Sequence, residues 1–131
     1  MVSRWMRYVV LLLAVVLTWL GTGQAALAQT YQIKMGADNG MLAFQPAQLT
    51  IKQGDTVEWL NNKLPPHNVI FSSVPNGDKE LANKLSQQGL VYKVGDSFSI
   101  TFDESLPPGT YTYYCTPHRG AGMQGKIIVQ G

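Results

Sequence analysis

The sequence predicts an all-β fold, an antiparallel sandwich with one short surface helix. Segments in which apolar and polar residues alternate recur along the chain at short intervals, and this alternation is typical of strands that are buried on one face. Glycine, proline and asparagine separate these segments, which favours turns between neighbouring strands. A helical spacing of apolar residues occurs in one short segment only.

Seven strand segments follow from the alternation. In each of them the apolar residues occupy every second position, which places them on one face. The apolar residues that define the first three segments are Tyr31, Ile33, Met35, Leu49, Ile51, Val57 and Trp59, and those that define two later segments are Phe98, Ile100, Phe102, Ile127 and Val129. The other two strands, one that begins at His67 and one that leads to Cys115, are described with the candidate site below.

The predicted helix is the short segment Asp78–Ser86. Its first residue is a favourable N-cap, because an aspartate side chain accepts a hydrogen bond from the first turn. Leu81 and Leu85 share one helical face, and Glu80 is spaced to pair with Lys84. We expect a small helix on the surface.

Residues 1–28 are interpreted as a cleaved signal peptide. Arg4 and Arg7 precede an apolar run from Tyr8 to Leu20, and the small-residue site Ala26–Ala28 follows it. The run is shorter than the roughly 20 apolar residues that span a bilayer, which argues against the alternative of a membrane anchor. Because the two arginines are not adjacent, the general secretion route is favoured over the twin-arginine route.

The mature chain, residues 29–131, is expected to form a single domain with one modest core. The leader contains two arginines and no acidic residue, so that the mature chain carries as many basic as acidic residues. Its net charge is therefore near zero. No clustered lysines and arginines mark a nucleic-acid-binding face, and that class of protein is excluded. We expect a monomer.

Four residues suggest a metal site. Cys115, His118 and Met123 form the pattern Cys-x-x-His-x-x-x-x-Met, and His67 is the second histidine. Two imidazoles and a thiolate, with a thioether as a long axial ligand, form the coordination set of a single copper ion that transfers electrons. A thioether is a poor zinc ligand, which favours copper over zinc. Since Cys115 is the only cysteine, it forms no internal disulfide; the alternatives are a buried apolar role or an intermolecular disulfide.

The strand alternation predicts where these side chains point. His67 shares a strand face with Phe71, and Cys115 shares one with Tyr113, so both candidate ligands are expected to point inward. Tyr114 falls on the opposite face, and its ring is expected at the surface beside a ligand. Tyr111, after a Pro-Gly-Thr turn, is expected to tie its hydroxyl to a nearby loop.

The backbone around the candidate ligands is expected to be stiff. Pro65 and Pro66 restrict the chain before His67, and the segment from Cys115 to Met123 contains the proline and glycines needed for a tight turn. Stiff ligand placement suits an electron carrier, whose geometry should change little between oxidation states. Asn68 is either a hydrogen-bonding link between the two ligand segments or an ordinary turn amide.

Two other classes of copper protein fit the sequence less well. A multicopper enzyme needs further histidines, but the mature chain contains only His67 and His118, and both are candidate ligands. No histidine remains for acid–base catalysis. A copper storage or delivery protein often carries methionine-rich tracts, whereas Met35, Met41 and Met123 form no tract. We therefore expect an electron carrier and not an enzyme.

The segments Asn62–Asn68 and Tyr113–Met123 resemble the two ligand segments of plastocyanins. The resemblance spans essentially the whole mature chain. It extends to Gly40–Leu42, Pro46, Gly54–Val57 and Gly125–Ile127. It implies an eight-stranded Greek-key cupredoxin sandwich with one type 1 copper ion, which cycles between Cu(I) and Cu(II) and is held by His67, Cys115, His118 and Met123. In that family the prolines at the positions of Pro46 and Pro66 can follow cis peptide bonds.

The resemblance also implies partners. It implies transfer of electrons from cytochrome f of the cytochrome b/f complex to photosystem I, in the thylakoid lumen, with the His118 ring edge as the main electron port. Small and apolar residues around that port would form a flat docking patch, and Tyr114 and Arg119 would add to it. The residues at the patch positions are Gly40, Leu42, Pro66, Gly120 and Ala121. For these five the alternative is tight turns, and for Arg119 it is a solvated surface residue.

The chain departs from plant plastocyanins in one respect. Those proteins carry two acidic runs beside the exposed tyrosine, whereas this chain has Ser72–Val74 and only the scattered Asp78 and Glu80. With its plain leader, it resembles a cyanobacterial form. We expect weak, transient binding with moderate salt dependence, and an interface below about 1,200 Å². The alternative function is a periplasmic blue copper protein that donates electrons to another acceptor, such as a terminal oxidase.

Overall fold

The computed structural model describes residues 27–131. Nearly all of the predicted signal peptide, residues 1–28, therefore lies outside the described residues. Within residues 27–131, no helix is long and apolar enough to cross a membrane.

The described residues form nine strands in two facing sheets. The strands are β1 (Thr30–Met35), β2 (Phe44–Gln45), β3 (Gln48–Lys52), β4 (Thr56–Asn61), β5 (His67–Ser73), β6 (Gln87–Val91), β7 (Ser97–Thr101), β8 (Gly109–Tyr114) and β9 (Gln124–Gln130). One sheet has the order β2-β1-β4-β7, and the other has the order β3-β9-β8-β5-β6. The predicted all-β sandwich is confirmed. The count exceeds the eight strands that the resemblance implied, and β2 is only two residues long.

The sheets are mixed, which corrects the expectation of purely antiparallel pairing. Strands β1 and β4 are parallel, with Ile33 opposite Trp59, and β3 and β9 are also parallel, with Ile51 opposite Val129. Parallel neighbours require a crossover connection, because a tight hairpin reverses the chain. Here the chain passes through β2 and β3 before it returns from β1 to β4. Alternation in the sequence identifies strand faces but not strand directions.

The predicted helix is present as α1, Lys79–Leu85. Asp78 caps it, because the side-chain Oδ1 accepts a hydrogen bond of 3.1 Å from the backbone N–H of Leu81. The expected pairing of Glu80 with Lys84 is wrong, since the ion pair found among residues 27–131 is Lys34–Asp38. Both side chains of the expected pair are exposed, and a surface pair of this kind contributes little.

The core between the sheets is rich in aromatic rings. Trp59 stacks on Phe98 with ring centroids 5.4 Å apart and meets Tyr113 edge-on at 5.6 Å. Phe71 packs against the same tyrosine at 5.6 Å. The neighbouring strand β9 leaves room for the Tyr113 ring at Gly125, because a Cβ atom at that position would lie 2.3 Å from Tyr113. These contacts fix the end of β8 from which Cys115 follows.

A tyrosine hydrogen bond and two cis peptide bonds shape the loops between the strands. Tyr111 is fully buried, and its hydroxyl donates a hydrogen bond of 2.6 Å to the carbonyl of Pro107. This is the predicted tie between a tyrosine and its preceding loop. The peptide bonds Gln45–Pro46 and Pro65–Pro66 are both cis, at the two positions where the resemblance allowed it.

Candidate metal centre

Neighbouring strands bring the predicted ligands to one end of the sandwich. His67 is the first residue of β5, and Cys115 immediately follows β8. These strands are antiparallel neighbours, with Ile70 opposite Tyr114. The start of one and the end of the other therefore meet at the same edge. A short 3₁₀ helix, Thr116–Ala121, then carries His118 back toward Cys115.

Three predicted ligands converge in the structure. The Cys115 Sγ lies 3.7 Å from the His67 Nδ1 and 3.6 Å from the His118 Nδ1. All three donor atoms lie within 4.8 Å of one another. His67 and Cys115 are fully buried, whereas His118 is half-buried. Their donor atoms surround a space of the size that one metal ion requires, and one ligand reaches the surface.

Met123, the predicted fourth ligand, is fully buried at the same end of the molecule. Two backbone hydrogen bonds close the ligand segment around it. The N–H of Cys115 donates to the carbonyl of Met123 at 3.1 Å, and the N–H of Met123 donates to the carbonyl of His118 at 3.3 Å. Gly122 makes the turn possible, because its φ of 84° is unfavourable for other residues.

The hydrogen bonding of His67 prepares it to bind a metal. Its Nε2 bonds the backbone carbonyl of Lys63. A carbonyl accepts only, so Nε2 carries the proton and Nδ1 keeps a free lone pair directed at Cys115. Burial lowers the pKa of His67, and the Lys63 carbonyl opposes this in part. The neutral imidazole, the form that binds metals, is thus favoured.

The Cys115 thiol needs a nearby positive charge to ionise. Burial raises its pKa, while the backbone amides of Asn68 and His118 oppose that rise. Neither a lysine nor an arginine is among the groups that shift this pKa. A bound cation would supply the positive charge that holds the thiolate. One thiolate, two imidazoles and a nearby thioether form a soft donor set, which suits copper.

Asn68 lies between the two ligand segments and is buried. Its Oδ1 accepts a hydrogen bond of 2.7 Å from the backbone N–H of Thr116, next to Cys115. Its Nδ2 donates to the Thr116 hydroxyl at 3.1 Å and to the carbonyl of Gln88 at 3.2 Å. The side chain thus joins the residue after His67 to the residue after Cys115.

The residues that the resemblance assigned to docking are all at least partly exposed. Gly40, Arg119, Gly120 and Ala121 are exposed, and Leu42, Pro66 and Tyr114 are half-buried. The guanidinium carbon of Arg119 lies 3.9 Å from the centre of the Tyr114 ring. This cation–π contact was not predicted, because sequence spacing does not reveal which surface side chains stack.

Sequence reasoning also missed the loop that supports His67. Lys63 was not singled out, although its carbonyl orients the histidine, because a backbone acceptor leaves no signal in side-chain identity. The preceding loop fixes Lys63 in turn. Gly36 lies so close that a Cβ atom there would be 2.1 Å from the Lys63 oxygen. The Asn62 side chain donates to the carbonyl of Gly36 at 2.8 Å.

Known proteins resemble this chain along most of its length. Residues 31–130 match the sequence profile of the family described as copper binding proteins, plastocyanin/azurin family. The chain is 49% identical over 130 residues to a plastocyanin of Nostoc punctiforme, a match that covers 98% of this chain and 94% of the relative. It is 57% identical over 106 residues to a plastocyanin of a Synechococcus species, which covers 81% of this chain and 77% of the relative.

Solved structures share the fold. The oxidised plastocyanin of the fern Dryopteris crassirhizoma superposes with a TM-score of 0.64 at 30% identity, over 76% of this chain and all (100%) of that one. A pseudoazurin from Sinorhizobium superposes with a TM-score of 0.57 at 30% identity, over 79% of this chain and 75% of that one. With the converging donors described above, these matches lead to one conclusion. The chain belongs to the plastocyanin/azurin family of copper-binding proteins, and it is an electron carrier with one copper ion rather than an enzyme.

Proposed function

We propose that His67, Cys115, His118 and Met123 bind the copper ion. The observation that carries this assignment is the convergence of one sulfur and two imidazole nitrogens within 4.8 Å. The bound ion would supply one-electron chemistry by cycling between Cu(I) and Cu(II). Met123, buried in the segment that closes on Cys115, is the axial ligand in this proposal.

The protein's contribution is to keep the donors in place during electron transfer. Lys63 holds the His67 ring through Nε2, and Asn68 joins the two ligand segments. Burial of Cys115 keeps water away from its sulfur. A site that changes little between the two oxidation states has little to rearrange when an electron arrives or leaves. Fast exchange with redox partners follows from this rigidity.

We propose cytochrome f as the electron donor and photosystem I as the acceptor. The curated relatives described above are cyanobacterial plastocyanins, and the mature chain lacks the acidic runs of the plant proteins. Electrons would pass through His118, the ligand that is half-buried rather than fully buried. The docking patch around it would comprise Gly40, Leu42, Pro66, Gly120 and Ala121, with Tyr114 and Arg119 at its side.

We further propose that the chain is exported to the thylakoid lumen after removal of residues 1–28. The support is the charged and apolar leader with its small-residue cleavage site. Residues 29–131 would then act as a single domain and as a monomer, peripheral to the lumenal side of the membrane. Residues 31–130, which match the family profile, fall within that domain.

The test is to load purified mature protein with copper, record its visible and spin-resonance spectra, and follow its oxidation by isolated photosystem I. We expect an intense blue colour and rapid oxidation. The control is Cys115→Ser, which should fold but lose the colour, because the transition depends on the thiolate. Persistent colour in that variant would refute Cys115 as a ligand.

Parallel reactions of the same protein with cytochrome f and with a terminal oxidase distinguish the proposed acceptor from the alternative. A blue protein that photosystem I does not oxidise, but that a terminal oxidase does, would favour a periplasmic carrier. A blue protein oxidised by photosystem I and reduced by cytochrome f supports the proposed role.

A further inference from the structure

Met41 is the most exposed methionine of the described residues. Its relative exposure is 61%, whereas Met35 and Met123 are 0% exposed. Two hydrogen bonds to its own backbone groups hold it in a tight turn. The N–H of Ala37 donates to the carbonyl of Met41 at 3.0 Å, and the N–H of Met41 donates to the Asn39 side chain at 3.0 Å. Most of the residue is therefore open to solvent, on a fixed backbone.

This turn lies at the metal end of the molecule. It begins at Gly36, whose carbonyl accepts a hydrogen bond from the Asn62 side chain at 2.8 Å. The next residue, Lys63, donates its backbone N–H to the carbonyl of Met35 at 3.2 Å and holds the His67 ring through its own carbonyl. Met41 is thus on a loop that is bonded directly to a ligand segment.

We propose that Met41 is an oxidation site at which hydrogen peroxide alters docking at the metal end. The thioether sulfur attacks one peroxide oxygen, the O–O bond breaks, an S=O bond forms and water is released. The sulfur loses two electrons and the peroxide gains them. A sulfoxide reductase reverses the change.

The burial of the other sulfur atoms makes this reaction selective. Met35 lies in the core, and both Met123 and Cys115 are fully buried at the metal centre. Oxidation of methionine follows access of the oxidant to sulfur. The exposed Met41 therefore reacts first, and the metal centre stays intact.

The consequence for docking rests on the proposed function. Met41 lies between Gly40 and Leu42, which belong to the proposed docking patch, and Leu64 at the same end is 53% exposed. The sulfoxide turns an apolar, flexible side chain into a polar one. A partner that packs an apolar surface against this end must then desolvate the new S=O group. Association weakens, while electron transfer within the copper centre is unaffected.

The test treats copper-loaded, oxidised protein with dilute hydrogen peroxide and maps added oxygen by peptide mass spectrometry. After the peroxide is removed, treated and untreated protein are both reduced, and electron donation to photosystem I is measured for each. Met41→Leu is the matched control, because it keeps an apolar side chain that takes up no oxygen. Met41→Gln introduces a polar group at the same position without any oxidant.

We expect one added oxygen on Met41 before any on Met35 or Met123, with an unchanged visible spectrum. The association rate with photosystem I should fall about two- to five-fold in the treated wild type and in Met41→Gln, and not in treated Met41→Leu. Earlier oxidation of Met35 or Met123 would overturn the site. Oxidised Met41 with unchanged kinetics would overturn its effect on docking. Failure of the untreated protein to react with photosystem I would instead refute the proposed partner. Peptide mass spectrometry would still show whether Met41 is the first methionine to be oxidised.

Discussion

At the scale of single residues, Asn68 shows how a buried polar side chain can join two distant segments of the chain. Its carbonyl and its amide both have partners, so burial leaves neither group unsatisfied. The main partner, Thr116, is 48 residues away in the chain. Sequence alone left a bridging amide and a turn amide as equal alternatives, because nothing local indicates a partner at that distance.

Replacing Asn68 by leucine tests this link. The variant keeps a similar volume but leaves the Thr116 N–H and the Gln88 carbonyl without their partner. We expect a loss of about 1 to 3 kcal/mol in the free energy of unfolding. Copper should also pass to a chelator faster, because the Cys115 segment loses its tie to the His67 segment. Urea unfolding and the rate of colour loss measure the two effects.

The control for that variant is Thr116→Val. It removes the hydroxyl that accepts from Asn68 but keeps the stronger bond from the backbone N–H. Its effects should be smaller than those of Asn68→Leu in both measurements. Equal copper loss in the two variants would mean that the amide bridge does not hold the centre together.

Other residues of the site could be predicted only in part. The types and spacing of His67, Cys115, His118 and Met123 were enough to suggest a copper set, since few other functions require them together. The Lys63 carbonyl and the stacking of Arg119 on Tyr114 were not predictable in this way. Each depends on a backbone path or a side-chain rotamer that three-dimensional packing selects.

At the scale of elements, the loop that begins at Gly36 supports the ligand segment. Gly36 has a φ of +87°, and a Cβ atom there would lie 2.1 Å from the Lys63 oxygen. A larger residue must therefore push Lys63 away from the position in which its carbonyl orients His67. The loop and the ligand segment behave as one packed unit.

Gly36→Ala should destabilise the fold and weaken copper retention together. The matched control is Gly54→Ala, because Gly54 also has a positive φ, +100°, but has no atom within 4 Å of the added Cβ. Both variants carry backbone strain, and only the first carries the clash. We expect Gly36→Ala to lose about 1 to 3 kcal/mol more than the control in urea unfolding. Similar losses, with copper held equally well, would show that the loop tolerates the displacement.

The tie between Tyr111 and the loop before β8 gives a prediction with a pH dependence. Tyr111→Phe removes the hydrogen bond to Pro107 and should cost about 1 kcal/mol near neutral pH. Burial raises the pKa of Tyr111 above its ordinary value of 10.0. As pH rises past that value, the unfolded chain releases this proton before the folded one does, and the stabilisation declines.

The difference in stability between wild type and Tyr111→Phe should therefore narrow between about pH 8 and about pH 11. Other groups titrate equally in the two proteins and cancel in the difference. Urea unfolding at both pH values measures it. A difference that stays constant or widens would show that the folded protein does not disfavour ionisation of this tyrosine.

The sequence predicted strands correctly where one face of the strand is buried in the core. The alternating residues of β1, β3, β4 and β9 include the buried core residues found in the structure. It did not predict β6, because Gln87–Val91 contains no alternation and lies exposed at a sheet edge. It also did not predict the parallel pairs, since the direction of a neighbouring strand depends on chain connections and not on side-chain periodicity.

At the scale of the whole molecule, charge is distributed so that docking does not depend on a strong overall field. Residues 29–131 carry as many basic as acidic side chains, and the acidic ones are scattered along the sequence. Arg119 is exposed beside the metal centre and is the only arginine of residues 29–131. The charge that a partner meets at this end is therefore local, and salt should screen it only in part.

Arg119→Gln should slow the reaction with photosystem I by about three-fold at low salt and by less at high salt, because a rim charge acts mainly on association. The reduction potential should change little, since Arg119 is not among the donor atoms. Lys52→Gln is the control for charge. It removes one positive charge from an exposed residue at the end of β3, beside Gln130 and away from the ligand segments.

A third variant, Arg119→Lys, separates charge from stacking. Lysine keeps the positive charge but lacks the planar guanidinium that lies 3.9 Å from the Tyr114 ring. If charge alone directs docking, this variant should react like the wild type. If stacking holds the charge in position, the reaction rate of Arg119→Lys should lie between those of wild type and Arg119→Gln, because a mobile ammonium loses more entropy when a partner docks. If wild type, Arg119→Gln and Arg119→Lys all react with photosystem I at the same rate at low salt, Arg119 is not part of the docking surface. The apolar patch around His118 would then have to account for recognition.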